Sequence, residues 1–72
     1  MSDGILERGE AGPAVAKLIR DLTVLGYYKG SQDDMFGYGT EAAVIAYQRT
    51  QNLKDDGVAG PKTLSAIAQD IR

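Results

Sequence analysis

The chain contains no cysteine, no histidine and no tryptophan. Without cysteine there is no disulfide to brace a small core and no thiolate to ligate zinc or attack a substrate. Without histidine the chain lacks the side chain that most often serves as a base near neutral pH, and the commonest zinc ligand. A cysteine-free chain folds equally well in either redox compartment, so that question stays open. No apolar run approaches the ~20 residues that span a bilayer, so a membrane role is not expected. The opening Met1-Ser2-Asp3-Gly4-Ile5-Leu6-Glu7-Arg8 has neither a basic start nor an apolar stretch and does not read as a secretory signal. An extracytoplasmic destination then calls for another release route, or for a signal outside this sequence.

Positive charge is also scarce. The eight Lys and Arg residues are scattered, no two adjacent, and ten Asp and Glu leave a net charge of −2. Nucleic acids are held by clustered cations that neutralise phosphates, so that partner class is not expected. A helix-turn-helix reading lacks its basic recognition helix. The paired carboxylates Asp33-Asp34 and Asp55-Asp56 raise calcium, and the spacing rejects it. An EF-hand loop ends in Glu at its twelfth position; counting from Asp33 that place is Val44, and from Asp55 it is Ala66. We expect no metal and no cofactor. Glycoside hydrolysis needs two carboxylates across a cleft, which 72 residues have little volume to build. The chain reads as one domain and not as an enzyme.

What is present is a repeat. Asp34-Met35-Phe36-Gly37-Tyr38-Gly39-Thr40-Glu41-Ala42-Ala43-Val44 recurs as Asp56-Gly57-Val58-Ala59-Gly60-Pro61-Lys62-Thr63-Leu64-Ser65-Ala66-Ile67. On this alignment Ala59 is one extra residue in the second copy. A turn that feeds a helix is thus used twice.

Periodicity supplies three helices. Val15, Leu18, Ile19, Leu22 and Leu25 share a face of helix one, about residues 13–25; Gly12-Pro13 opens it and Gly26 closes it. Thr40, Ala43, Val44 and Tyr47 line helix two, about 38–51, with Asn52-Leu53 as its closing pair. Leu64, Ile67, Ala68 and Ile71 line helix three, about 61–71, opened by Gly60-Pro61. Loops at 26–37 and 52–60 connect them. None of the three is stable alone, so they must share one core. The class is all-α, a compact three-helix domain over 1–72 with its core at about 6–71.

These residues resemble the peptidoglycan-binding domain family, the small helical wall-binding module of many lytic enzymes. The resemblance rests on an ordered set: Gly9-Glu10-Ala11-Gly12, Val15, Leu18 and Leu22, Leu25-Gly26-Tyr27-Tyr28, Asp34-Met35, Phe36-Gly37-Tyr38-Gly39-Thr40-Glu41-Ala42-Ala43-Val44, Tyr47-Gln48, and Asp56-Gly57-Val58-Ala59-Gly60-Pro61-Lys62-Thr63. It covers residue 6 to about 68. Three positions depart from it: Met35 stands where the first turn often has Gly, Ile19 where Gln often follows Leu, and Tyr47 where Phe is commoner.

The resemblance implies a non-catalytic module that targets a lytic or wall-remodelling enzyme, such as a phage endolysin, to its polymer. The ligand would be a muropeptide stem or glycan, the partner a linked lytic domain, the place of action the bacterial cell wall, and the state a monomer. The other reading is a protein-interaction module on the same scaffold, with Ala42 and Ile45 as a small apolar patch. Expected ligand-binding residues are Tyr28, Asp34, Phe36, Tyr38, Thr40 and Gln48, with exposed N–H groups at the start of helix two beside them. Tyrosines offer an apolar face and a polar tip, which suits a sugar or a peptide. Asp34 is placed to take an amino group and Thr40 to orient the ligand. Structural roles compete at several positions. Phe36 also reads as core, Thr40 as a local hydrogen bonder, and Gln48 as either a tether for a loop or a reader of amides.

Overall fold

The computed structural model describes residues 4–72; the first three residues of the expected domain lie outside it. Three helices appear: α1 (Pro13–Val24), α2 (Tyr38–Thr50) and α3 (Pro61–Ile71). Proline stands in the first turn of α1 and α3, where its missing N–H loses no hydrogen bond. The ends of α1 and α2 fall one residue short of expectation because Leu25 and Gln51 are caps. Both close in the same way. After α1, Gly26 at φ 90° donates its N–H to the Thr23 carbonyl, and Tyr27 donates to Leu22. After α2, Asn52 at φ 61° donates to Arg49, and Leu53 to Gln48. This paired return satisfies carbonyls that a helix end leaves orphaned.

Helix α1 packs against both α2 and α3. Its Val15, Leu18, Ile19 and Leu22 meet Ala43, Val44 and Tyr47 of α2 and Ile67 of α3 in one buried cluster. Several expected core residues are more peripheral. Leu25 and Leu64 are half-buried, Ala68 is exposed, and Ile71 keeps 37% of its surface. Two residues outside the helical stripes take their place, Leu6 and Ala59. They pair with each other as an isolated antiparallel bridge, each N–H donating to the other's carbonyl. Further along the same segment, the Phe36 N–H donates to the Glu10 carbonyl, and Gly9 and Gly12 donate to the carbonyls of Phe36 and Asp34. Residues 6–12 therefore form a strap that clasps both turns of the repeat.

The strap fixes the register of that repeat and corrects the alignment drawn from sequence. Phe36 and Ala59 each bond to the strap through both N–H and carbonyl, although the bridge partner in the first turn is Met35, opposite Ala11, and Gly37 and Gly60 both precede a helix. Counting back, Asp33 matches Asp56, Asp34 matches Gly57, and Ala59 is not an insertion. The hydrogen bonds agree: Asp33 Oδ1 accepts the N–H of Met35 at 3.0 Å, and Asp56 Oδ1 that of Val58 at 2.9 Å. Gly57 sits at φ +76°, and a Cβ there would stand 2.9 Å from Glu41 Cγ; glycine is required. Asp34 fills the matching place without a positive φ, so the absent glycine of the first turn is at Asp34 and not at Met35. The sequence alignment slipped because Asp33-Asp34 offers two aspartates and only one makes the turn.

Tyr47 is fully buried, packs edge-on against Tyr27 at 5.3 Å, and donates its hydroxyl to Asp70 Oδ2 at 2.7 Å. Burial, and then the Asp70 hydrogen bond and charge, hold its hydroxyl far above the ordinary value of 10.0. The folded state thus keeps a proton that the unfolded chain releases from about pH 10. This stabilisation is fully present below that pH and falls as pH rises through and beyond it. We expect Tyr47→Phe to cost about 1–2 kcal/mol near neutral pH through the lost hydrogen bond. Its melting temperature should converge on that of the parent chain above pH 10. A constant gap from pH 8 to pH 11 would contradict the assignment.

Candidate functional site

The start of α2 and the loop before it carry most of the expected binding residues, and they separate into an exposed group and a buried group. Tyr38 is 75% exposed. The Arg8 guanidinium lies over its ring, 4.5 Å from the centroid, and also ion-pairs with Glu41, Nη1 to Oε1 at 2.9 Å. The strap delivers Arg8 to this place, and the three-residue step on α2 puts Glu41 beside Tyr38. Tyr28 is half-buried. Its hydroxyl donates to the Ser31 carbonyl at 3.0 Å, and its ring folds against two glycines. A Cβ at Gly30 would fall 2.7 Å from the hydroxyl, and one at Gly39 would rest 3.6 Å from Cε1. Gly39 is the second residue of α2, directly after Tyr38, so both tyrosines border the same stretch of backbone. Gly37 provides no side-chain cap there, which leaves first-turn N–H groups of α2 without a side-chain partner.

Asp34 is exposed and lies elsewhere. It borders a hollow of about 650 Å³ between α1 and the first loop, with Pro13, Lys17, Arg20 and Gln32. Asp34 is therefore grouped with cations of α1 and not with Tyr38. Lys17 in turn is drawn toward Asp21, Nζ to Oδ2 at 2.9 Å.

The remaining three expected residues are interior. Phe36 is 2% exposed and belongs to the core. Thr40 is 2% exposed, with its hydroxyl 3.4 Å from the Met35 carbonyl. Gln48 is 1% exposed. Its Nε2 donates toward Val58 O at 2.9 Å, Thr63 Oγ1 at 3.1 Å and Asp56 Oδ1 at 3.2 Å, and its Oε1 accepts the Gly57 N–H at 3.0 Å. As placed, Phe36 and Thr40 present no surface to a ligand, which corrects their expected role in contact, and Gln48 reaches the surface only as part of the wall of a hollow at the second turn. For Gln48 the tether is the alternative that the structure realises. Thr40 and Thr63 occupy equivalent places in the repeat, and both turn their hydroxyls inward.

Arg8 and Glu41 were missed by reading the sequence. Arg8 is 33 residues from Glu41, and no local pattern joins them; only the strap does. Among the described residues no group of three or more carboxylates is placed to hold a metal ion. No helix among them is long and apolar enough to cross a membrane.

Comparison with known proteins agrees with this architecture. Residues 11–67 match the model of a family described as "Putative peptidoglycan binding domain". The chain is 35% identical over 68 residues to a spore cortex-lytic enzyme of Oceanobacillus iheyensis, a match covering 94% of this chain and 25% of that enzyme. The crystal structure of the SleB N-terminal domain superposes with a TM-score of 0.95 at 33% identity, over 100% of this chain and 99% of that one. The Burkholderia AP3 phage endolysin superposes with a TM-score of 0.86 at 38% identity, over 94% of this chain and 26% of the endolysin. The chain thus spans about a quarter or less of the length of the curated enzymes it first matches. With that family match over most of its length, a near-complete superposition on a solved domain and the ordered motifs in their places, the chain belongs to the putative peptidoglycan binding domain family.

Proposed function

We propose that this chain is a non-catalytic module that binds peptidoglycan and keeps a wall-degrading activity close to its polymer. The observation that carries this reading is the family match over residues 11–67, joined to an exposed aromatic face at the start of α2. Relatives named as lytic enzymes are several times longer than this chain, which leaves room for catalysis outside the matched module. The place of action is the bacterial cell wall, and the module works as a monomer.

Tyr38 is the centre of the contact surface. Arg8 covers one face of its ring, so a sugar ring or a peptide stem uses the opposite face and the exposed edge. The ion pair with Glu41 holds the guanidinium level, and Tyr28 widens the surface beyond Gly39. Phe36 and Thr40 keep this surface in shape from below. A patch of this size binds one unit at about micromolar strength or weaker, roughly −8 kcal/mol. Many neighbouring units along one polymer then supply avidity.

Tyr38→Ala tests the assignment. The side chain is exposed, so the melting temperature should stay within a few degrees of the parent's. Co-sedimentation with washed, protein-free sacculi should fall by roughly tenfold, the loss of a stacking contact of about 1–1.5 kcal/mol. A folded variant that binds as well as the parent removes Tyr38 from the site. Turbidity followed in the same tube should stay constant, and clearing would overturn the non-catalytic reading. Absence of parent binding would favour a protein partner instead.

A further inference from the structure

A second hollow, of about 450 Å³, lies between the end of α2 and the start of α3. Leu53, Val58 and Pro61 give it apolar walls, and Lys54 and Lys62 border it. Both lysines are exposed, and among the described residues neither makes an ion pair, whereas Arg8, Lys17 and Arg49 are each paired with a carboxylate. In a chain of net charge −2, two uncommitted cations at one concavity form a local positive site. Thr63 and Gln48 also line it, and the Gln48 amide is held by the second turn, so the hollow is shaped in advance. Asp56 belongs to the same wall, with Oδ1 engaged by the N–H of Val58 and by Gln48 Nε2. Gly60 gives α3 no side-chain cap, so the first-turn N–H groups of Lys62 and Thr63 add to the same preference for an anion.

We propose that this hollow is a binding site for the carboxylate-bearing peptide stem of peptidoglycan, separate from the Tyr38 face; the assignment rests on the peptidoglycan reading and names the part of the polymer that is recognised here. Among the described residues no aromatic side chain lines the hollow, which argues against a sugar, because stacking on a ring is the usual means of holding one. Apolar walls beside two ammonium groups match short alanine side chains next to a carboxylate. The two lysines are point charges on flexible stems, suited to a charge that moves with a mobile stem. The repeat places this hollow at the second turn and the Tyr38 face at the first. A glycan strand and one of its stems then have separate footholds on one module.

The test uses the isotopically labelled full chain and amide shift mapping by NMR. The probes are the stem tetrapeptide L-Ala-γ-D-Glu-L-Lys-D-Ala, the same peptide with its carboxylates amidated, and peptide-free glycan strands. We expect the acid peptide to shift the amides of Lys54, Gly60, Lys62 and Thr63, and glycan strands to leave them in place. Loss of a charge-assisted contact should make the amidated peptide bind about tenfold more weakly or worse. The double variant Lys54→Gln, Lys62→Gln should lose as much while keeping its melting temperature. Equal binding of the acid and amidated peptides, equal binding by the folded double variant, or shifts confined to the Tyr38 face would each overturn the assignment. Co-sedimentation of the parent chain with sacculi, run alongside, separates the two proposals. No co-sedimentation defeats the peptidoglycan reading itself. Co-sedimentation with no peptide shifts at this hollow defeats only the stem site.

Discussion

Gln48→Ala is expected to destabilise the domain by about 3–5 kcal/mol, through loss of one buried amide that ties α2 to the second turn. The side chain is 1% exposed, so removing it leaves a cavity. The change also removes the acceptor of the Gly57 N–H and the donor to Val58 and Thr63. A buried donor left without a partner costs about 1–3 kcal/mol by itself. A domain of this length has roughly 4–11 kcal/mol in total, so the variant should be partly unfolded at 37 °C. Gln48→Glu separates hydrogen bonding from volume. It keeps the shape and replaces the donor by a carboxylate facing Asp56 Oδ1 and the Val58 carbonyl. It should be destabilised to a similar degree, and should recover part of the loss at acid pH, where the carboxyl is protonated. Chemical denaturation of both variants provides the check. A stable Gln48→Ala domain that fails to bind sacculi would restore Gln48 as a contact residue.

The helices were legible in the sequence because their signals are local. Gly12-Pro13 and Gly60-Pro61 mark starts, while Gly26 and Asn52 mark ends, each by a backbone preference that acts within a few residues. The strap was not legible. Leu6 reaches Ala59 across more than fifty positions through single bridges, and neither a period of two nor a period of 3.6 announces such a contact. The register of the repeat depended on the same strap. Without the strap's hydrogen bonds to Phe36 and Ala59, two adjacent aspartates allow two alignments.

The site was legible in kind and less so in detail. Tyr38 is exposed because it opens a helix on the outer side, as its position before the apolar stripe implied. Tyr28 lies against the backbone next to it only because glycines at 30 and 39 make room for a ring. Phe36 and Thr40 lie within two residues of Tyr38 and face inward, since helix and bridge geometry turn neighbouring side chains in different directions. Proximity in sequence to an exposed tyrosine was therefore a poor guide to exposure. Arg8 was beyond reach for the reason that Leu6 was, because it travels on the strap.

Leu22→Ala is expected to cost about 2–5 kcal/mol, the range for a buried leucine cut back to a methyl group. Leu22 is fully buried between α1 and the rest of the core. It also holds a particular place at a helix end, because its carbonyl accepts the N–H of Tyr27 that closes α1, as the carbonyl of Gln48 accepts that of Leu53 at the end of α2. The two residues are structural equivalents with opposite chemistry. At the first of these helix ends the position points into the shared core and is apolar. At the second it points toward a turn whose polar groups need partners, and is an amide. Leu22→Gln should accordingly be at least as damaging as Leu22→Ala, since it buries an amide where the surrounding side chains are apolar. Leu25→Ala, at a half-buried position on the same stripe, should cost clearly less. Equal melting temperatures for Leu22→Ala and Leu25→Ala would mean that α1 is rotated from the orientation described. The ordered series Leu25→Ala, Leu22→Ala, Leu22→Gln would show that the helix closure is one backbone device with two side-chain solutions, one built for packing and one for holding a polar turn.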